Sequence, residues 1–285
     1  MKILRGQSRL SGPLRGRSRR YGMSRKTAVV TGASRGIGLA IARRLLAAGW
    51  QVFGLSRSEG PVEEIPWIPC DVSVPESVNQ ALESACMQAG RLDLLVCNAG
   101  MGISGAVEFT SEEDAELQID VNLMGAVRCA RKAASVMRKQ GFGKIIFISS
   151  LAAIFPLPFQ SLYSASKAGM NVFSDALGIE LRPFGVQTCT VMLNDVRTDF
   201  TDSRKKTETG DGIYGGAIRA SVEKMERSER NGMTPERAAE EVYRLAEKKK
   251  LPAHRIVGAS NQLLGLLYRI LPTDLMLSVI RGIYG

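Results

Sequence analysis

Histidine is almost missing from this chain of 285 residues; His254 is the only one. That excludes a multi-histidine metal site, and it sets aside hydrolases built on a histidine triad. Cysteine is sparse too. Cys70, Cys86, Cys97, Cys129 and Cys189 are scattered, odd in number and without metal-ligand spacing. They read as buried, reduced thiols of a cytosolic-type, cytoplasmic protein, and no metal is expected. Acidic residues are absent before Thr27, and that stretch has no continuous apolar core, which argues against a secretory signal. The most apolar segment, residues 261–285, is broken by Arg269, Pro272 and Asp274, which argues against a membrane-spanning helix. There is no internal repeat.

The net charge of +10 points at first to nucleic acid or an anionic surface. Its location says otherwise. Lys2, Arg5, Arg9, Arg15, Arg17, Arg19, Arg20, Arg25 and Lys26 supply nine of those charges, so the rest of the chain is nearly neutral. Residues 1–22 are rich in Ser and Gly and read as a disordered basic extension. Three readings stay open for it: translation from Met23, an organelle-targeting peptide, or a weak anion-binding arm. Nucleic-acid binding through it would vanish with residues 1–22 and collapse with salt; no nucleic acid is expected as a partner.

Short β-rich runs alternate with longer helical ones. Strands are expected at 27–31, 51–55, 65–70, 92–98, 144–149, 185–192 and 255–259. They are continuous apolar runs, as strands buried on both faces are. Helical stretches lie between them. Ile37, Ile41, Leu45 and Ala48 form one stripe that ends at Gly49. Thr110 stands three before Glu113, a capping box for a helix over 110–141. Thr234 and Pro235 start another, which closes on Lys248, Lys249 and Lys250. This alternation predicts right-handed βαβ units in one α/β domain over 23–260, with a doubly wound parallel sheet. An apolar extension, 261–285, reads as two short amphipathic helices that pack on a substrate loop, make an oligomer contact or touch a membrane surface peripherally.

TGASRGIG, residues 31–38, puts three glycines between the first strand and the first helix. A glycine-rich turn into a helix N-terminus is a phosphate site, because backbone N–H groups point outward and the dipole favours an anion. Gly32 suits the tight turn, Gly36 the approach of a pyrophosphate, and Gly38 close packing of the helix. Folds of this kind that prefer NAD carry an acid at the end of the second strand. Here Ser56 stands there, Arg57 follows, and Arg35 lies in the glycine turn. Two guanidiniums suit a ribose 2′-phosphate, so NADP(H) is expected over NAD(H).

Tyr163 and Lys167 are four apart on one helix, behind the strand that ends near Ser150. With TGASRGIG, Asp71, the NAG of residues 98–100 and Asn122, they resemble the short-chain dehydrogenase/reductase family over residues 26–260, with a hydroxysteroid-dehydrogenase-like character. The resemblance implies a Rossmann-type three-layer α/β/α fold with a seven-stranded parallel sheet, and a homodimer or homotetramer. It implies hydride transfer between cofactor and substrate. Tyr163 would be the acid–base, drawn toward neutrality by the Lys167 ammonium. Ser150 would position the carbonyl oxygen, Lys167 would also hold the nicotinamide ribose, and Asn122 would anchor a water chain. The cofactor-binding set it implies comprises Gly32, Ser34, Arg35, Gly36, Ile37, Gly38, Arg57, Asp71, Val72, Asn98, Ala99, Gly100, Tyr163, Lys167, Val196 and Thr198. Where the family usually has Pro-Gly, this chain has Leu193 and Asn194; Asn tolerates the left-handed conformation, so the turn is expected to survive.

Residues 199–232 are polar and weakly periodic, and the resemblance makes them the substrate loop. Residues 151–160, Met101 and Leu193 are apolar and suit a lipophilic ketone or secondary alcohol, steroid-like in lipid or steroid metabolism. Reduction of a 3-oxoacyl thioester is the main alternative, with Arg197, Arg204, Lys205 and Lys206 either docking a carrier or merely solvated. A non-catalytic NADP(H)-sensing regulator on the same fold is the third.

Overall fold

The computed structural model describes residues 25–284; the expectations for 1–22 and Met23 lie outside the described residues. Seven strands form one sheet: β1 (Thr27–Thr31), β2 (Gln51–Ser56), β3 (Trp67–Pro69), β4 (Leu94–Cys97), β5 (Gly143–Ser150), β6 (Val186–Leu193) and β7 (His254–Ile256). All pairings are parallel and the order is β3-β2-β1-β4-β5-β6-β7. The order reverses beside β1, between the first and fourth strands. The fold is thus the expected Rossmann-type, seven-stranded α/β/α sheet. A ligand crevice belongs at that reversal, outside the strands' C-terminal ends.

Helices α1 (Gly36–Ala47), α2 (Pro75–Ala89), α3 (Glu112–Ile119), α4 (Gly125–Gln140), α5 (Ser161–Leu181), α6 (Ala217–Arg230) and α7 (Pro235–Glu247) surround the sheet. On one face Ile41 and Leu45 of α1 meet Val242 and Leu245 of α7 over Val30 and Val96. On the other, Val78 and Leu82 of α2, Ala130 and Met137 of α4, and Met170 and Leu177 of α5 cover Val29, Leu95 and Phe147. Each such leucine, isoleucine or methionine contributes about 1.5–3 kcal/mol of burial free energy.

Several boundaries differ from the sequence reading. Ser111, not Thr110, caps α3, with its hydroxyl accepting from the Asp114 N–H at 3.2 Å; the Thr110 hydroxyl instead donates to the Ala106 carbonyl. The long helix over 110–141 is divided by one π turn, Asp120–Met124. α7 ends at Glu247, ahead of the lysines, and β7 ends at Ile256. Residues 199–232 are not all loop. α6 buries Ile218, Val222 and Met225 at helical spacing within a segment too charged to read as amphipathic at sight. Two amphipathic helices, α8 (Ala259–Ile270) and α9 (Thr273–Tyr284), end the chain. Among the described residues no helix is long and apolar enough to cross a membrane.

Setting aside a histidine triad on the count of one histidine does not hold, since a triad needs only one, and His254 makes a hydrogen-bonded one: its Nδ1 lies 2.6 Å from the Thr190 hydroxyl and its Nε2 3.0 Å from Asp175. Thr190 is wholly buried inside β6, so no substrate reaches its hydroxyl and the arrangement ties β7 to α5. Among the described residues no group of acids, histidines or cysteines is arranged to hold a metal ion.

Candidate active site

The glycine turn is a backbone device first. Gly32 has φ +62° and Gly36 φ +55°, conformations that L side chains rarely adopt. A methyl group on Gly38 would lie 2.3 Å from the Gly32 carbonyl oxygen and 2.5 Å from Asn98 Nδ2. Asn98 donates from that amide to the carbonyls of Thr31, at 3.0 Å, and Gly32, at 3.1 Å. The Thr31 hydroxyl accepts from the N–H groups of Asn98 and Ala99. Asn98 therefore holds the glycine turn against the end of β4, and its amide is not aimed outward at a ribose.

Ala99, Asn98 and Thr198 lie against this turn: a Cβ on Gly32 would sit 2.9 Å from Ala99 Cα. No side chain caps the start of α1 at Arg35, and no acid lies in its first turn. Thr198 stands opposite, with its methyl 3.5 Å from the position of a Gly36 Cβ. Ser34 and Ile37 are partly exposed on the same turn. The result is a bare cradle rimmed by backbone, which fits a pyrophosphate. Arg57 follows the end of β2, and both it and Arg35 are exposed. Asp71 accepts from the backbone N–H and the hydroxyl of Ser73, at 2.9 and 2.6 Å. Those hydrogen bonds, with Arg57 nearby, hold its carboxyl below the ordinary value. Val72 is buried against Gly125. Val196 bridges to Met233, fixing the segment after β6. Asn194 keeps a negative φ, since Phe159 is the only non-glycine residue with positive φ among the described residues. The replacement of Pro-Gly by Leu193 and Asn194 thus needs no left-handed residue.

β5 and α5 position the reacting groups. β5 ends at Ser150, and α5 begins at Ser161, placing Tyr163 and Lys167 on its first two turns. The Ser150 hydroxyl accepts from the Ala152 N–H at 3.1 Å and lies close enough to the Tyr163 hydroxyl to favour its phenolate. Lys167 is buried, donates to the Ile148 carbonyl at 2.9 Å, and has its Nζ 5.7 Å from the Tyr163 ring centroid. Burial pushes it down to about 8. The Tyr163 hydroxyl shifts upward, not toward neutrality, because burial outweighs the pulls that favour the phenolate. Those pulls come from the Ser150 hydroxyl and the Arg204 guanidinium rather than from Lys167.

Asn122 sits in the π turn, wholly buried. Its Oδ1 accepts from Met101 N–H at 2.8 Å and its Nδ2 donates to Met101 C=O at 2.9 Å and the Ser166 hydroxyl at 3.3 Å. It clamps the strand-end segment 100–102 beside Lys167: a Cβ on Gly100 would lie 3.2 Å from Asn122 Oδ1 and 3.8 Å from Lys167 Nζ. A π turn at this position re-aims one side chain without ending the helix.

Of the four basic residues offered either for carrier docking or as merely solvated, Arg197 is exposed and the other three are in ion pairs. Lys205 pairs with Asp114 at 2.6 Å and Lys206 with Glu226 at 2.5 Å, while Arg204 is buried against Glu229. Glu229 and Phe200 are site features without a mark in the sequence, and so is the burial of Arg204. The apolar wall is closed by the C-terminus: Leu151 and Phe155 pack with Met192, Met276 and Ile280, and Phe155 meets Tyr268 edge-on at 5.2 Å. Lys224 of α6 donates to the Ile283 carbonyl of α9.

A glycine cradle at the sheet's reversal, beside a Ser–Tyr–Lys cluster at the end of β5, defines a dinucleotide-dependent oxidoreductase site. The short chain dehydrogenase family profile matches residues 26–209, and the chain belongs to that family. It is 35% identical over 261 residues to a 3-ketodihydrosphingosine reductase of Bacteroides thetaiotaomicron, covering 90% of this chain and 97% of the relative. It is 35% identical over 176 residues to a 3-oxoacyl-[acyl-carrier-protein] reductase of Mycobacterium bovis, covering 62% of this chain and 71% of that one. The crystal structure of a short-chain dehydrogenase from Streptomyces avermitilis superposes with a TM-score of 0.78 at 27% identity, covering 87% of this chain and 94% of that one.

Proposed function

We propose that this oxidoreductase is an NADP(H)-dependent reductase of a lipophilic ketone, interconverting it with a secondary alcohol, and that Tyr163 is its acid–base. The observation that carries this reading is the Ser150–Tyr163–Lys167 cluster set between the glycine cradle and an apolar wall. Gly32 to Gly38 with Thr198 would hold the pyrophosphate, and Arg35 and Arg57 the 2′-phosphate. Asp71 and Val72 would bound the adenine, Ala99 and Gly100 the ribose side, Val196 and Thr198 the carboxamide, and Lys167 the nicotinamide ribose. When bound, the nicotinamide supplies the hydride.

The chain's own groups do the rest. Ser150 and Tyr163 both present hydroxyls to one carbonyl oxygen, whose negative charge grows during reduction. Tyr163 Oη gives that oxygen its proton. Lys167 is held on Ile148 C=O, and the phenolate left behind is favoured by Ser150 and the Arg204 guanidinium. Asn122 acts by fixing the floor at Met101.

Two observations favour a long-chain ketone over a steroid: the full-length relative is named for a ketosphingoid substrate, and the wall from Leu151 to Ile280 is aliphatic as well as aromatic. The ion-paired Lys205 and Lys206 weaken the carrier-docking alternative. The proton-transfer groups weaken the sensor reading. A homo-oligomer is part of the proposal on the strength of the family. The test is NADPH oxidation by purified protein against long-chain 3-ketones, ketosteroids and acetoacetyl thioesters. Turnover of the long-chain ketone is expected; turnover of the thioester alone, or of none with NADPH bound, overturns the substrate class or the catalytic role.

A further inference from the structure

Arg204 has no business being buried unless something uses its donors. Its side chain is 1% exposed. One terminal nitrogen donates to Glu229, whose other oxygen accepts from the Thr201 hydroxyl at 2.7 Å. The remaining Nε and Nη1 donors are buried without a hydrogen-bond partner. Guanidinium N–H groups left unpaired in a dry interior are strongly unfavourable, so such groups are the exception in folded proteins.

Their position is informative. The Arg204 guanidinium carbon lies 5.7 Å from the Phe200 ring, and that ring lies 6.2 Å from the Tyr163 ring. A Cβ on Gly102 would sit 3.4 Å from Arg204 Nε and 3.1 Å from Phe200, so only a glycine lets the arginine and the ring pack this closely on the segment 100–102. Gly102 in turn accepts, through its carbonyl, the N–H of Lys205, which fixes the arginine's backbone to the floor that Asn122 clamps. The unpaired donors thus belong to a guanidinium that flanks the reacting phenol across the Phe200 ring and is near enough to favour its phenolate. The ion pair with Glu229 leaves little net charge, so what the site offers is directed N–H groups in a fork.

We infer that Arg204 is a specificity-determining residue that donates from Nε and Nη1 to an acceptor oxygen carried by the substrate close to its reacting ketone. The inference rests on the ketone-reductase reading above. A carbonyl, a hydroxyl or a phosphate oxygen meets the same donors, while a plain alkyl ketone leaves them unpaired. A site built to hydrogen-bond a substrate oxygen rejects the analogue that lacks it, because its own buried donors are then stranded.

The experiment compares kcat/KM, with NADPH, for four ketones of matched chain length: a 3-oxoacyl thioester, a 1-hydroxy-3-ketone, a phosphate-bearing ketone and a plain alkan-3-one. Arg204→Lys keeps the charge opposite Glu229 but removes the fork. The double variant Arg204→Met with Glu229→Gln removes the pair together and avoids stranding a buried carboxylate. NADPH binding, read by fluorescence, reports that each variant is folded. At least one oxygenated ketone should exceed the plain one at least tenfold in wild type, and which one it is names the oxygen's source. In either variant that ratio should collapse about ten- to a hundredfold, mostly through KM. A ratio unchanged within twofold in a variant that binds NADPH overturns the inference. So does a wild type that prefers the plain ketone, which leaves the reductase reading intact. A wild type that binds NADPH and turns over none of the four overturns both.

Discussion

Lys167 carries a charge in a place that disfavours it. Burial lowers its value from the ordinary lysine range to about 8. Between pH 8 and 10 the unfolded chain therefore holds more protons at this site than the folded one, and the site's contribution to stability rises with pH. The buried thiols of Cys97, Cys129 and Cys189 act oppositely, since burial raises them. The comparison that isolates the lysine is Lys167→Met: its melting temperature should gain over wild type at pH 8, and the advantage should shrink by pH 10. A constant difference would show that Lys167 is not depressed. At the cofactor rim, Arg57→Asp should shift the NADPH-to-NADH preference at least tenfold toward NADH, by removing a partner for the 2′-phosphate and supplying one for the 2′-hydroxyl. An unchanged kcat/KM ratio would refute the assignment. Single residues were legible where their chemistry is local. Tyr163 and Lys167 share a helix face, and glycine spacing shows in the chain itself. Arg204 was named, but its burial was not legible, because Glu229 lies twenty-five positions away and meets it only through the fold.

Elements were legible where burial is two-sided. β1, β5 and β6 match their apolar runs within a residue or so, because central parallel strands need hydrophobic side chains on both faces. The edge strand β7 ends sooner than its apolar run: Val257 N–H still donates to the Met192 carbonyl of β6 at 3.1 Å, but helix α8 begins at Ala259. The cap of α3 falls on Ser111 and not on Thr110: both types cap helices, serine the better, and the backbone at Ser111 is the extended one a cap needs. The π turn leaves no mark in residue type. The glycine turn yields the prediction proper to this scale. Gly38→Ala should displace the turn, since its methyl would meet backbone at 2.3 Å, and should weaken NADPH binding at least tenfold in a fluorescence titration. Gly49→Ala is the control: its φ is +85° but no atom lies within 4 Å of an added Cβ, so only a backbone cost of about 1 kcal/mol and no cofactor effect are expected.

At the scale of the molecule, the sheet places the glycine cradle and the Ser–Tyr–Lys cluster along one rim, and α8 and α9 build a third apolar cluster with Leu151 and Phe155, just beyond the end of β5. The sequence marked that C-terminal segment as apolar and amphipathic without saying which surface it covers, because packing partners more than a hundred residues away are not written in a local pattern. Ile280→Ala removes part of this cover. It should destabilise the protein by about 2–5 kcal/mol and raise KM for a long-chain ketone more than for a short one; equal changes would place α9 outside the substrate wall.

The most direct measurement is NADPH oxidation with a long-chain 3-ketone by wild type and Tyr163→Phe, alongside NADPH binding by both. The account expects turnover by wild type, loss of at least a thousandfold in kcat for the variant, and NADPH affinity within a few-fold. A variant that binds NADPH and retains turnover near the wild-type rate would contradict it.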